Sequence, residues 1–308
     1  MNSQAKQIGK SNRVMQGFGD KLFQWAIGII IVLFCFSIVL PFINIFSLAF
    51  NDGKDAARGG IYFWPRLVTL QNFAEVFKDS QIINAYKITI ARTVLGTLLS
   101  LVLMTMSAFV LKVKTLPGRN FFTLAIAVTM LFSGGLIPTY IQYNRLNLVN
   151  NFWIYIIPGS ISAYYLIMIR TFYDTIPDSL EESAKLDGCG YFRSYIHIIL
   201  PLSKPIIAVI GLYCAVNHWN DWFSGAFYQR SSKMWPVQTV LQQMLNKAMA
   251  STEETTTIGK LIAANANTVT SDSLKMAAVV VTMTPILCVY PFIQKYFAKG
   301  VMIGAIKG

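Results

Sequence analysis

Six stretches of this chain contain no Asp, Glu, Lys or Arg: residues 22–51, 93–111, 120–144, 146–169, 205–220 and 276–294. A helix that crosses a bilayer needs about 20 mostly apolar residues. Uncharged runs of this length have no polar face to turn to water, so each is a candidate span. The fifth extends to about Phe227 if Asp221 is accepted near its end. The runs are apolar all round, whereas barrel strands would alternate with period two, so helices are expected. Charged residues make up 13% of the chain, against about 25% in a soluble domain. Mean hydropathy is +0.50. An ordinary soluble enzyme and a disordered chain are both excluded. The first run is too long for the apolar core of a cleaved signal, and no small-residue cleavage site follows it.

Charge gives the orientation. The net charge of +12 is spread over the ends of the apolar runs rather than gathered on a polar domain. This pattern fits membrane flanks and not nucleic-acid binding. Lys6, Lys10, Arg13 and Lys21 precede the first run. Lys112, Lys114 and Arg119 follow the second, and Lys295, Lys299 and Lys307 follow the sixth. With six spans these flanks share one side, which the positive-inside rule makes the cytoplasm, with both termini inside. The expected organisation is an N-terminal tail (1–21) and a six-helix domain (22–298). The spans fall at about 22–50, 84–111, 120–143, 152–171, 204–228 and 275–296. An inner loop covers 173–203, outer loops cover 51–83 and 229–274, and a C-terminal tail covers 299–308. Outer loops of this length are more often functional than simple connectors. Within the second, 237–249 reads as helix and 251–257 as a polar Thr/Glu stretch.

The inner loop is the most informative stretch. After Pro177, Asp178 with Glu181, or Ser179 with Glu182, has the spacing of a capping box. A short helix is expected to start there and to end at Gly188, which supplies the left-handed conformation of a C-cap. A second short helix should carry Tyr191, Tyr195 and Ile199 on one stripe and break at Pro201. A helix–turn–helix at the cytoplasmic surface, carrying carboxylates that anionic lipid would repel, suits a protein partner with a groove.

These residues carry a family resemblance. Glu182-Ser183-Ala184, then Gly188, then Ile198 and Leu200-Pro201, resemble the coupling loop of importer permeases powered by ATP-binding cassettes. In that pattern Glu-Ala-Ala is followed after three residues by Gly, and nine residues later by Ile-x-Leu-Pro. Ser183 departs from the usual Ala, but it is small enough to seat in the same groove. Phe132 to Tyr140 (FSGGLIPTY), Trp219-Asn220-Asp221 and the ending 294–308 are similar to the maltose-type carbohydrate branch, in its Gram-positive oligosaccharide subgroup. The resemblance covers essentially the whole chain.

It implies an all-α integral membrane protein of the bacterial plasma membrane, with six transmembrane helices and a cytoplasmic helix–turn–helix coupling loop. It implies four kinds of partner: a second homologous permease, two cytoplasmic ATPase subunits, an extracellular solute-binding lipoprotein and a carbohydrate. Glu181, Glu182, Ser183, Ala184, Asp187, Gly188, Leu200 and Pro201 would couple to the ATPase. Lys299, Gly300, Lys307 and Gly308 would reach the ATPase interface, or form a basic end meeting lipid. The chain has no G-x-x-x-x-G-K-[S/T] sequence. It is therefore expected to be no enzyme and to hold no cofactor, with ATP and Mg on the partner subunits.

Polar groups at membrane depth are costly unless used. Asn217, Trp219, Asn220, Asp221 and Trp222 on span five are the candidates for a substrate path; Tyr140, Tyr143, Asn144, Tyr164 and Tyr165 are weaker ones that read equally as helix packing or interface anchors. Trp can stack on a sugar ring while Asn and Asp bind hydroxyls. The same Trp-rich run reads equally as an aromatic belt at the outer interface. Cys35, Cys189, Cys214 and Cys288 show no metal spacing, and His197 and His218 are too isolated in sequence to anchor a metal site. The alternative function is a stand-alone secondary transporter or channel. It would predict paired ionisable residues inside the membrane, and only Asp221 is placed for one. A membrane enzyme would want carboxylates, His or Cys converging in a cleft.

Overall fold

The computed structural model describes residues 18–254 and 270–305. The first apolar run becomes α1 (Phe18–Ala49), apolar on every side, with no part of its most apolar window buried. Such a helix needs lipid or another apolar surface around it. Among the described residues its one substantial helix partner is α14 (Ser271–Ala305). The outer connection contains two short helices, α2 (Gly53–Ala57) and α3 (Gln71–Lys78). The second run becomes α4 (Ser80–Lys112), the spine of the molecule.

The expected third, fourth and fifth spans are each interrupted. The third splits into α5 (Arg119–Thr129) and α6 (Leu136–Arg145) around Gly134-Gly135, where Gly135 takes φ +80°. The fourth begins as a 3-10 turn at Phe152–Tyr155. It passes through Pro158 and becomes α7 (Ala163–Tyr173). The fifth is α11 (Lys204–Asn220) followed by α12 (Phe223–Tyr228), broken at Asp221. Among the described residues, three helices are long and apolar enough to cross a membrane alone: α1, α4 and α14 through its 272–289 segment. Broken helices belong where protein, not lipid, surrounds the freed backbone groups.

The inner loop holds α8 (Asp178–Leu186) and α9 (Tyr191–Ser194). A π-helical segment, Tyr195–Ile199, runs into the short α10 (Leu200–Leu202). The break expected at Pro201 falls instead at Ser203, where the chain turns by 81° into α11. The π segment explains the shift. Proline has no N–H, and the N–H of Leu200 reaches back to the Tyr195 carbonyl, so the helix absorbs Pro201. Of the expected stripe, Tyr195 and Ile199 are buried in the core with Phe109, Tyr173 and Ile210, whereas Tyr191 is exposed.

The described part of the 229–274 loop is docked. Its helix α13 (Val237–Glu254) buries Val237 and Val240 against Val76, Ile82 and Ala277. The Val237 N–H donates to Thr89 Oγ1 at 2.9 Å. Gly225 on α12 lies so close to α13 that a Cβ there would collide with Thr239 Oγ1. Part of the expected 251–257 stretch, and the basic residues Lys6, Lys10 and Arg13, lie outside the described residues.

Candidate functional site

Two places bring the sequence candidates together: a cavity at the breaks of the helices, and the exposed helix α8.

The cavity encloses about 550 Å³ between α4, the 154–165 stretch, α11 and α12. At its wall Arg92 of α4 meets Asp221. Arg92 Nη2 is 2.5 Å from Asp221 Oδ2, and Nη1 donates to the Asp221 carbonyl at 3.0 Å. The Arg92 side chain is 2% exposed and Asp221 26%. The guanidinium also lies over the Tyr155 ring, 4.4 Å from its centroid, a cation–π contact. Asp221 turns the break into a joint, because its Oδ1 accepts the Ser224 N–H that opens α12. His218, one turn earlier, is buried against Gly96 of α4, where a Cβ would collide with its imidazole ring. Only glycine lets the two helices approach this closely.

The rest of the wall is tyrosine and small polar groups. Tyr143, Tyr155, Tyr164, Tyr165 and Tyr228 line it, with Ser100, Ser162 and Asn217. Asn217 Nδ2 donates to the Tyr165 hydroxyl at 3.2 Å, and Tyr165 stacks on Tyr213 at 5.8 Å. Arg92 Nε and Ser100 Oγ have no hydrogen-bond partner among the described residues.

Of the expected substrate-path residues, Asn217, Asp221 and Tyr143 line the cavity, as do the weaker candidates Tyr164 and Tyr165. Trp219, Asn220, Trp222 and Tyr140 do not. Trp219 faces α14, donates its Nε1 proton to the Thr282 carbonyl at 3.2 Å and meets Tyr86 edge-on. Asn220 is exposed. Trp222 lies edge-on to Phe223, and its carbonyl accepts from Thr239. Tyr140 stacks on Tyr228 from outside. Sequence reasoning missed Arg92, although a lone arginine about a third of the way along a long apolar helix is itself a functional signal. The ionisable pair that a self-contained ion-coupled transporter would need is therefore present. Its expected absence no longer weighs against that alternative.

α8 is built differently from the capping-box expectation. Pro177 is the N-cap and gives no side-chain cap. Glu181 instead forms an ion pair with Lys112 at the end of α4, with side chains 12% and 6% exposed. Asp178 accepts from Lys114 Nζ at 2.6 Å in an exposed pair. That hydrogen bond holds the Asp178 carboxyl below the usual range and raises the Lys114 ammonium. The C-terminus is a Schellman closure. Gly188 takes φ +80°, and the Cys189 N–H reaches the Ala184 carbonyl at 2.8 Å. Glu182, Ser183, Leu186 and Asp187 point outward, with Leu186 89% exposed. Ala184 is half-buried, and Leu200 and Pro201 sit where the loop returns to the bundle. The return is rooted by Tyr195, whose hydroxyl is 2.8 Å from Thr105 Oγ1 on α4. Lys299 and Gly300 fall on the backbone of α14, which runs to Ala305, and Lys307 and Gly308 lie outside the described residues. Among the described residues no group of His, Cys, Asp and Glu is arranged to hold a metal ion.

Comparison with known proteins adds a family and relatives. Residues 88–303 match the family described as binding-protein-dependent transport system inner membrane component. The chain is 35% identical over 289 residues to the polygalacturonan/rhamnogalacturonan transport system permease protein YtcP of Bacillus subtilis, covering 94% of this chain and 99% of the relative. It is 37% identical over 275 residues to protein LplC of the same organism, covering 88% and 90%. It is 26% identical to the arabinooligosaccharides transport system permease protein AraQ of Halalkalibacterium halodurans, covering 93% and 98%. A chain in the crystal structure of a bacterial ABC transporter involved in the import of the acidic polysaccharide alginate superposes with TM-score 0.83. That chain is 27% identical, with 91% of this chain and 98% of the other covered.

Proposed function

This chain belongs to the family of binding-protein-dependent transport system inner membrane components, and from that premise we propose that it translocates an oligosaccharide handed over by an extracellular solute-binding protein. The work comes from ATP hydrolysed on two partner ATPase subunits, and a second, homologous permease completes the pathway. Both termini face the cytoplasm, and six crossings, three of them broken, form the domain.

The observation that carries the ATP-driven reading is the outward face of α8. A nine-residue helix, fixed at one end by Gly188, presents Glu182, Leu186 and Asp187 to solvent while its other face is tied to α4. An exposed carboxylate beside a bare leucine at a membrane surface suits a protein groove. Glu182 would orient the helix there through charge-assisted hydrogen bonds.

The route from α8 to the cavity is short in parts. A push on α8 passes through the Glu181–Lys112 pair and the Tyr195–Thr105 contact into α4. Arg92 lies 20 residues up the same helix, about 30 Å along its axis. Moving α4 as a rigid body carries Arg92 and Gly96 relative to α11 and α12, and so reshapes the cavity around its joint at Asp221. In the cavity, tyrosine faces would take the apolar sides of sugar rings. Asn217 and the tyrosine hydroxyls would take sugar hydroxyls. The carbohydrate assignment is supported by the relatives' named cargoes and by this polar, aromatic lining.

The test is co-purification from the native membrane of the tagged chain, wild type beside Glu182→Arg and Gly188→Asp. The proposal expects an ATPase and a second permease with the wild type, and loss of the ATPase alone from both variants. A chain that purifies by itself, or partners indifferent to both substitutions, overturns it.

A further inference from the structure

The outer connection after α1 does not simply leave the membrane. It climbs through α2, reverses at Gly59 and Gly60, both at positive φ, and comes back down. On the return, Asn44 Nδ2 donates to the Ile61 and Tyr62 carbonyls at 2.8 and 3.3 Å, and Ser47 Oγ donates to the Phe63 carbonyl at 2.6 Å. The chain then meets its own outward course in a single antiparallel bridge, Asn51 against Val68. The 61–63 segment therefore lies beside the last turns of α1, below the helix end. Side chains of α1 satisfy three successive carbonyls there.

Depth follows from arithmetic. Lys21 marks the inner boundary of α1 in the orientation proposed above, on which this inference rests. Twenty residues from Leu22 span about 30 Å and end at Pro41. Asn44 and Ser47 then lie about 5 to 9 Å further out, at the level of the lipid headgroups. At that level Tyr62, Phe63 and Trp64 are 69%, 53% and 83% exposed. An apolar groove of about 780 Å³ opens between Phe46, Phe50, Phe63 and Trp64, continuous with the bare apolar side of α1.

Tyrosine and tryptophan favour this interface, where an apolar ring and a polar edge are both accommodated. A backbone segment facing lipid needs its carbonyls satisfied from within the protein, and here Asn44 and Ser47 do this. We propose that residues 61–68 form a lipid anchor: a reversed arm whose Tyr62, Phe63 and Trp64 seat in the headgroup layer of the outer leaflet, fastened to α1 by Asn44 and Ser47. The arm fixes the depth of α1, whose other substantial hold among the described residues is α14.

The test uses the assembled importer in phosphatidylglycerol/phosphatidylcholine nanodiscs, with the four native cysteines replaced. A nitroxide is placed at Trp64→Cys, or at Tyr62→Cys should the first fail to assemble. Reference labels are placed at Val32→Cys for lipid and Lys54→Cys for water. Collision rates with oxygen and with a water-soluble nickel chelate give the environment. The anchor predicts oxygen access at position 64 approaching that at 32, and nickel access several-fold below that at 54. Nickel access equal to that at 54 overturns the anchor and places the aromatics in water. Low access to both reagents overturns it in favour of a protein lid, whether solute-binding protein or second permease. A water-exposed label at 32 overturns the crossing of α1 itself, and so is distinguishable from failure of the anchor alone.

Discussion

Glu181→Gln keeps the shape of the side chain beneath α8 and removes its charge. The pair it breaks is buried, with Lys112 6% and Glu181 12% exposed. Removing one partner of a buried pair strands the other and costs about 3–5 kcal/mol. This pair closes the C-terminal end of α4 and keeps some exposure, so the lower end of that range, about 3 kcal/mol, is the appropriate figure. Each step of about 1.4 kcal/mol is tenfold in an equilibrium. The detached state of α8 should therefore rise about 100-fold in population. Hydrogen exchange of peptides covering 178–188, measured in the assembled complex where reclosing outpaces exchange, reads that population directly. Asp178→Asn breaks only the exposed Lys114 pair, in which the lysine side chain is 73% and the aspartate 53% exposed. Exposed pairs contribute little, so exchange should stay close to wild type. Swapping the charges, Lys112→Glu with Glu181→Lys, should recover part of the protection. Glu181→Gln with wild-type exchange, or Asp178→Asn with the larger effect, would refute the assignment of Glu181 as the inner tether.

Three further outcomes follow from the same geometry. Gly96→Ala drives a methyl into the His218 ring and should cost about 1–3 kcal/mol by overpacking. His218→Ala in the same chain should restore the melting temperature, and an unshifted melt for Gly96→Ala alone would contradict the close approach. Arg92→Met or Asp221→Asn alone should destabilise by about 3–5 kcal/mol by stranding a buried charge. Arg92→Met with Asp221→Met should regain thermal stability without regaining uptake. The Asp178 carboxyl, depressed by its hydrogen bond from Lys114, contributes above its ordinary value near about 4, and the contribution is lost as pH falls through the lower folded value. A carboxyl NMR titration should show that depression, and Lys114→Met should return Asp178 to the ordinary range.

Which parts of this were legible in the sequence follows from what apolar runs can and cannot say. The run at 22–51 gives α1 to within four residues at its start and two at its end, because no charge interrupts it. The runs at 120–144 and 146–169 give helices but hide their breaks. Gly134-Gly135 and Pro158 are compatible with a bend or with simple packing until φ +80° at Gly135 decides for a break. Gly188 was readable because a left-handed C-cap has one preferred residue. Pro201 misled because a π turn can absorb a proline, and nothing in Tyr195 to Ile199 marks one.

Trp219 misled for a different reason. A helix apolar on all sides has no stripe to show which face is inward, so a tryptophan packed on Thr282 looks the same in sequence as one open to a sugar. Arg92 is hidden because it sits at the edge of its run. The uncharged stretch begins at Thr93, one residue beyond the charge that pairs with Asp221. The capping box failed because Asp178 and Glu181 have partners 64 and 69 residues away in Lys114 and Lys112, beyond any local rule.

The central claim is that an outside motor, acting through α8, drives a carbohydrate through the cavity at the Arg92–Asp221 joint. The most direct measurement is uptake of a labelled oligosaccharide into proteoliposomes holding the complete importer with its solute-binding protein. ATP and an ion gradient are supplied separately, and the wild type is compared with Glu182→Arg. The account predicts uptake that requires ATP, ignores the gradient and is lost in Glu182→Arg. Gradient-driven uptake without ATP, by this chain without the ATPase, would contradict it and make the Arg92–Asp221 pair the heart of a secondary transporter.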